Sequence, residues 1–496
     1  MRYRHDPEGL RLPIKLDNAT NGEFMPRPMG RRQRQMIDLA HADAGEHARR
    51  AGLGRRAFMI SACGAATVLA VLNRAASAAE RTGGYFVLET EAALDPDAAA
   101  ATLAGEEFVF DVQNHAINPD GAWRRRPNAA QLIAGLRTTT AAARYSHEPL
   151  AGELAYLNAL DGDHYVKDVF LDSDTQMAVM SVLSTLHEDE PLPIDEAAGI
   201  RALVGRLGGG RRLLLHGKVL PNIPGDISRM RELKRAWGVS AWKLYTQLAH
   251  GPTRGYRLDD EALMTPLIEE SRALGVDVVC AHKGLAFGSG ERAFSTCADV
   301  GRAARLYPDI KFIIYHGGYD RDTIEGPYDP GRAEAGVNSL VKSLIDHGVA
   351  PNSNVYAELG AAWRAMIPEP EQAAHAWGKL LKHVGEDNVL WGTDCCWYGS
   401  PQDQIQAFRA FQIAEPLRER HGYAELTQQL KAKIFGLNAA VPYGVDVPAV
   451  IRKTENDMLQ RVRAEYAEAP EPSWRTYGPK SRRSFFEHVR KAGALP

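Results

Sequence analysis

The sequence predicts a parallel (β/α)8 barrel, and three observations carry that expectation. Eight short apolar runs recur along the chain, near 107–112, 168–172, 212–217, 240–245, 276–282, 311–316, 354–359 and 388–393. Their starts lie about 27 to 60 residues apart, room for a helix between successive strands and too much for hairpins. Five of the runs end in side chains suited to metal binding or acid–base work. Phe108-Val-Phe leads into Asp111-Val-Gln113-Asn-His115, Val276-Asp-Val-Val-Cys-Ala into His282, and Phe312-Ile-Ile-Tyr into His316. Val355-Tyr-Ala leads into Glu358, and Val389-Leu-Trp-Gly-Thr into Asp394. Functional groups at the C-terminal ends of successive strands mark a barrel rim.

The segments between the runs read as helices. Ser173-Asp-Thr serves as a cap before an expected helix over Gln176-Met-Ala-Val-Met-Ser-Val-Leu. The run from Asp259 to Leu274 stops at Gly275, and Glu371 to Val384 stops at Gly385, as glycine ends helices before strands. The long interval 116–166, with Trp123-Arg-Arg-Arg and Tyr145, is expected to form a lid or cap. The barrel is expected over 106–446, followed by a charged, helical extension over 447–496 that packs on the barrel or on a partner subunit, which makes a homodimer an expectation.

With 45% hydrophobic and 24% charged residues the chain is globular, and a net charge of −3 gives no reason to expect a nucleic-acid partner. Cys63, Cys280, Cys297, Cys395 and Cys396 are too few and too irregular for a disulfide framework. The first 56 residues are Arg-rich and aperiodic, which predicts disorder or a leader. Gly54-Arg55-Arg56-Ala-Phe58-Met59 resembles the twin-arginine export motif, and Ala57 to Leu72 supplies 16 mostly apolar residues after it. Ala76-Ser77-Ala78 fits a small-x-small cleavage rule, leaving 418 residues that begin with an Ala- and Glu-rich linker over 79–105. The expectation is twin-arginine export to the periplasm. The alternatives are an uncleaved anchor or a buried helix, with a membrane-bound or cytoplasmic chain.

Residues 113 and 115 share one face of a strand. His115 is a good imidazole donor, whereas Gln113 offers a neutral and weaker carbonyl oxygen. His282 and Asp394 would complete a nitrogen/oxygen site with a position open for water. Taken in order, the strand end at 111–115, Ala281-His282, Tyr315-His316-Gly-Gly318, Trp391-Gly-Thr-Asp394 and Ile434-Phe-Gly-Leu-Asn438-Ala-Ala-x-x-Tyr443-Gly resemble the amidohydrolase-related family. The branch is the one containing aminocarboxymuconate-semialdehyde decarboxylase and γ-resorcylate decarboxylase.

The resemblance implies a metal-dependent TIM barrel holding one divalent ion, zinc first and manganese as the alternative. His115, His282 and Asp394 would be its ligands, with Gln113 where most members have His and some Glu. It also implies that His316 works beside the ion as acid, base and substrate-polarising group, with Asp394 taking a proton from bound water. Lys243 is placed where related two-metal hydrolases carry a carbamylated bridge, or else pairs with Glu358. His216-Gly-Lys218 and Glu358 are candidates for holding substrate. Three functions follow: a hydrolase of a small lactone, amide or ester; a non-oxidative decarboxylase of an aromatic or conjugated acid; or a metal-free binding protein on a degenerate barrel.

Overall fold

The structure, a computed structural model, describes residues 12–16, 30–81, 83–126, 160–208, 212–248, 254–286, 292–395, 397, 399–470 and 472. Strand β1 (Gly84–Phe86) precedes the barrel strands β2 (Val109–Asn114), β3 (Thr175–Met180), β4 (Leu213–Lys218), β5 (Ala241–Tyr245), β6 (Val278–His282), β7 (Lys311–Tyr315), β8 (Val355–Glu358) and β9 (Val389–Leu390), and β10 (Phe411–Ile413) follows them. The eight barrel strands pair in chain order and in parallel. Three backbone bonds bring β9 and its continuation back to β2: Val112 donates to Trp391, Asp394 to Gln113 and His115 to Cys395. The (β/α)8 expectation holds.

One strand was misplaced by the sequence reading. Residues 168–172 were expected to be strand, yet Lys167–Leu171 is a helical turn, and the expected helix after Thr175 is β3 itself. Met177 and Val179 face the barrel interior while Ala178 and Met180 face the helical layer. Both faces of β3 are therefore apolar, and a strand buried on both sides loses the two-residue alternation that would distinguish it from a helix.

Alternation along each strand also sets the interior. Phe110, Val112, Val278, Ile313, Tyr356 and Leu390 fill the lower barrel. The closing motif plugs it from below: Asn438 Nδ2 donates to the carbonyls of Glu386 and Val389, and Gly436 lies so close to Phe108 O that a Cβ would reach 2.1 Å from it.

Residues 31–50 and 55–77 are helical, apart from a short break, where disorder or a leader was expected. Helices α1 (Arg31–Arg50), α2 (Arg55–Met59) and α3 (Ala62–Ser77) pack together. The expected linker holds β1, antiparallel to β10, and α4 (Pro96–Leu103). The apolar stretch expected as a leader forms α3 in this structure: Val68, Leu69, Val71 and Leu72 are buried, with α4, β1 and the helix Gln402–Ala410 against it. Arg56 is buried and the Arg55 guanidinium bonds to His41. Upstream, buried Lys15 reaches Ser400 O at 2.9 Å and Asp403 Oδ1 at 3.2 Å.

Residues 127–159 of the expected lid, including Tyr145, lie outside the described residues. The C-terminal extension is helical over Val447–Thr454 and Met458–Glu468 and is tied to the barrel by Arg212–Asp457 at 2.7 Å.

Candidate active site

Strand ends deliver the site. Gln113 and His115 sit at the end of β2, Asp394 just after β9, His282 closes β6, His316 follows β7 and Glu358 closes β8. Asp111 straps the first and last strands together. Its carboxylate accepts from the Gln113 and Thr393 backbone N–H groups at 3.1 Å each and from the Thr393 hydroxyl. Burial outweighs these donors and raises the Asp111 pKa to about 7.

Four of the expected residues meet. His115 Nε2 lies 3.1 Å from Asp394 Oδ1, Gln113 Nε2 donates to the same oxygen at 3.2 Å, and Gln113 Nε2 also lies 3.4 Å from His316 Nε2. The His282 and His316 rings stand edge to face with centroids 4.7 Å apart, and Tyr245 stacks on His282. Trp397 covers the outer face of His115 at 5.5 Å. All of these side chains are buried.

The backbone is strained at two of them. His316 (φ 64°) and Asp394 (φ 60°) adopt left-handed conformations without being glycine. Such a conformation costs on the order of 1–3 kcal/mol and persists where the surroundings enforce it, as functional sites do. Gly317 and Gly318 continue the left-handed turn after His316 at no such cost.

Burial would raise the Asp394 carboxyl, but the bond from His115 and the charges of His115, His316 and Lys243 bring it below its ordinary value. It is ionised at neutral pH. Burial lowers His282 well below an ordinary imidazole, with His316 and Lys243 adding to the effect, and lowers His316 to about 4. Both rings are neutral at neutral pH. Burial raises Glu358 to about 8 although its Oε1 accepts the His316 backbone N–H at 3.0 Å. Among the described residues, Gln113 Oε1, His115 Nδ1, His316 Nδ1 and Glu358 Oε2 are buried without a hydrogen-bond partner.

The remaining expected residues are placed differently. Lys243 lies below the imidazoles, its Nζ 3.3 Å from the centre of the Tyr315 ring and 5.2 Å from that of Tyr245. His216, expected to hold substrate, is deeper still. Its Nδ1 meets Ser181 Oγ at 3.1 Å and its Nε2 meets Tyr443 Oη at 3.0 Å, so it belongs to the packed interior rather than the rim. Lys218 is committed to Glu190 and Thr185. Sequence reasoning missed Gly360 altogether. Its φ of 47° and the polar atoms against it leave no room for a side chain, and a glycine two residues past a strand-ending Glu is a faint signal for that.

A family model described as Amidohydrolase matches residues 219–445. The match contains Lys243, His282, His316, Glu358 and Asp394, while Gln113, His115 and His216 precede it. No curated protein matches the chain. Among solved structures, 4-oxalomesaconate hydratase from Rhodopseudomonas palustris is 17% identical, with 74% of this chain and 100% of that one covered and a TM-score of 0.39. A dihydroxybenzoic acid decarboxylase from Polaromonas sp. JS666, with bound manganese and 2-nitroresorcinol, is 12% identical over 71% of this chain and 99% of that one, with a TM-score of 0.40. An uncharacterized TIM-barrel protein from Bordetella bronchiseptica is 13% identical over 68% and 100%, with a TM-score of 0.41.

The expected ion would need His115, His282, Asp394 and Gln113 together. They do not fit as a set. His115 and Asp394 stand close enough to share an ion, but Gln113 turns its amide nitrogen, which is no ligand, toward them. His282 Nε2 is directed at Leu285 O, 3.4 Å away. Among the described residues, no group of three or more His, Cys, Asp or Glu side chains is arranged to hold a metal ion.

Proposed function

We propose that the chain is a hydrolase of a small lactone, amide or ester, working by acid–base chemistry at the rim of the barrel. The observation that carries this reading is the Asp394 carboxylate: buried, ionised, held in a left-handed backbone and surrounded by imidazoles. In the proposed reaction Asp394 takes a proton from water, the water oxygen adds to the substrate carbonyl carbon, and the proton passes to the departing oxygen or nitrogen. His115 orients Asp394. The positive charge of Lys243, sunk beneath His282 and His316, favours the oxyanion that forms above it. His316, neutral at working pH, is a hydrogen-bond acceptor and proton relay rather than a standing cation.

The test is a panel of lactones, esters, amides and aromatic carboxylic acids in water enriched in oxygen-18. Hydrolysis places one heavy oxygen in the product acid. Carbon dioxide release without water uptake would replace this reading with the decarboxylase, and ligand binding without turnover would replace it with the binding protein.

A further inference from the structure

The direction of one amide decides what this site holds. Gln113 Nε2 donates to Asp394 Oδ1 at 3.2 Å and points at His316 Nε2 at 3.4 Å. An ionised carboxylate can only accept hydrogen bonds. Without a cation between them, the reversed amide would set its oxygen 3.2 Å from a carboxylate oxygen, two acceptors facing each other. A metal-binding Gln needs that reversed orientation, because a divalent ion takes the amide oxygen.

The other end of the amide lies against Gly360. The position a Cβ would occupy on Gly360 lies 2.6 Å from Gln113 Oε1, 2.9 Å from Glu358 Oε2 and 3.1 Å from His316 Nδ1. Three buried polar atoms thus crowd one face of a glycine, and none has a hydrogen-bond partner among the described residues. With Gln113 donating to its Nε2, His316 carries its ring proton on Nδ1.

We propose that the Gln113 amide takes the place of a resident metal ion, tying Asp394 to His316 so that the site operates without a divalent cation. Gln113 is then a positioning residue, acting through Asp394 and His316. This inference does not rest on the hydrolase reading, because the ion content of the chain is read without substrate.

The experiment uses the full chain, incubated with excess zinc and freed of unbound ion, followed by elemental analysis and calorimetric titration with zinc. The wild type is expected to retain well under one ion and to show no binding at micromolar zinc. Gln113→His is expected to gain about one zinc per chain, since it adds an imidazole beside His115 and Asp394. About one tightly held ion in the wild type, lost in Asp394→Ala, would overturn the proposal. So would a Gln113→His chain that takes up none, because residue 113 would then not be what replaces the ion.

Gln113→Leu, of similar volume, supplies a second readout. The nitrogen-15 spectrum of labelled histidine is expected to show His316 held as the Nδ1–H tautomer in the wild type and released from it in Gln113→Leu. An unchanged tautomer would overturn the positioning role. An ion-free wild type that turns over no substrate, with Gln113→His gaining zinc, would leave this inference standing and remove the hydrolase reading.

Discussion

Two polar clusters are stacked along the barrel axis, and they are built on opposite principles. The lower one joins His216, Ser181, Tyr443, Tyr315 and Cys280. Both His216 nitrogens have partners, Tyr315 Oη donates to Val112 O at 2.6 Å, and Cys280 Sγ sits 3.5 Å from Tyr443 Oη. Burial lowers His216 well below an ordinary imidazole and raises the Cys280 thiol to about 11, so both stay neutral and inert. The upper cluster joins Gln113, His115, His316, Glu358 and Asp394. It holds a charge, two strained backbones and four buried polar atoms with no partner among the described residues. Satisfied polar groups hold a fold together; unsatisfied ones are costly unless something else uses them. The difference fits the proposed function, in which the lower cluster holds the fold and the upper one carries the chemistry.

The sharpest way to break that assignment is to exchange the consequences. His316→Gln is expected to lower kcat about 10²- to 10⁴-fold, the span of one acid–base group, with the melting temperature nearly unchanged. Turnover that survives the substitution would move the chemistry elsewhere. A chain beginning at residue 79 tests the N-terminal packing. Each large apolar side chain uncovered where α3 is lost is expected to cost roughly 1.5–3 kcal/mol, read as a lower melting temperature or insolubility. An equally stable truncated chain would favour the leader reading over the buried helix.

Two smaller effects separate the clusters further. Tyr443→Phe removes the partner of His216 Nε2, and stability is expected to fall by ~1–3 kcal/mol in denaturant titration while kcat stays within about twofold.

The pH dependence of stability reports on Glu358. Its pKa rises from 4.5 to about 8 on folding, so its contribution is complete below about 4.5 and is lost as pH rises through about 8. Asp111, raised to about 7, acts in the same direction. His316, lowered from 6.5 to about 4, acts oppositely: its contribution is present above 6.5 and lost toward 4. Between 6.5 and 8 the decline is therefore expected to dominate, at up to about 1.4 kcal/mol per pH unit from one group. Glu358→Gln is expected to flatten it. An identical slope in the variant would show that Glu358 is ionised in the folded chain.

Much of this was legible in the sequence. Gln113, His115, His282, His316, Glu358 and Asp394 all stand at strand ends, because strand-ending polar residues after apolar runs survive as a one-dimensional signal. His216 also follows an apolar run, yet it falls inside: it lies in the strand, two residues before Lys218, and the register rather than the run fixes its depth. The leader and the buried helix could not be told apart at 57–72, since a moderately apolar stretch satisfies a translocation signal and a packing interface equally well. The direction of the Gln113 amide was unreadable, because it depends on Asp394, more than 240 residues further along.

The most direct measurement is turnover by Asp394→Asn, set beside the wild type on whichever substrate of the panel is hydrolysed. Asparagine keeps the shape but removes the charge that accepts the water proton. The account predicts a fall in kcat of at least about 10²-fold in a chain that melts at a similar temperature. Turnover within a fewfold of the wild type would contradict it, because the chemistry would then not pass through the upper cluster.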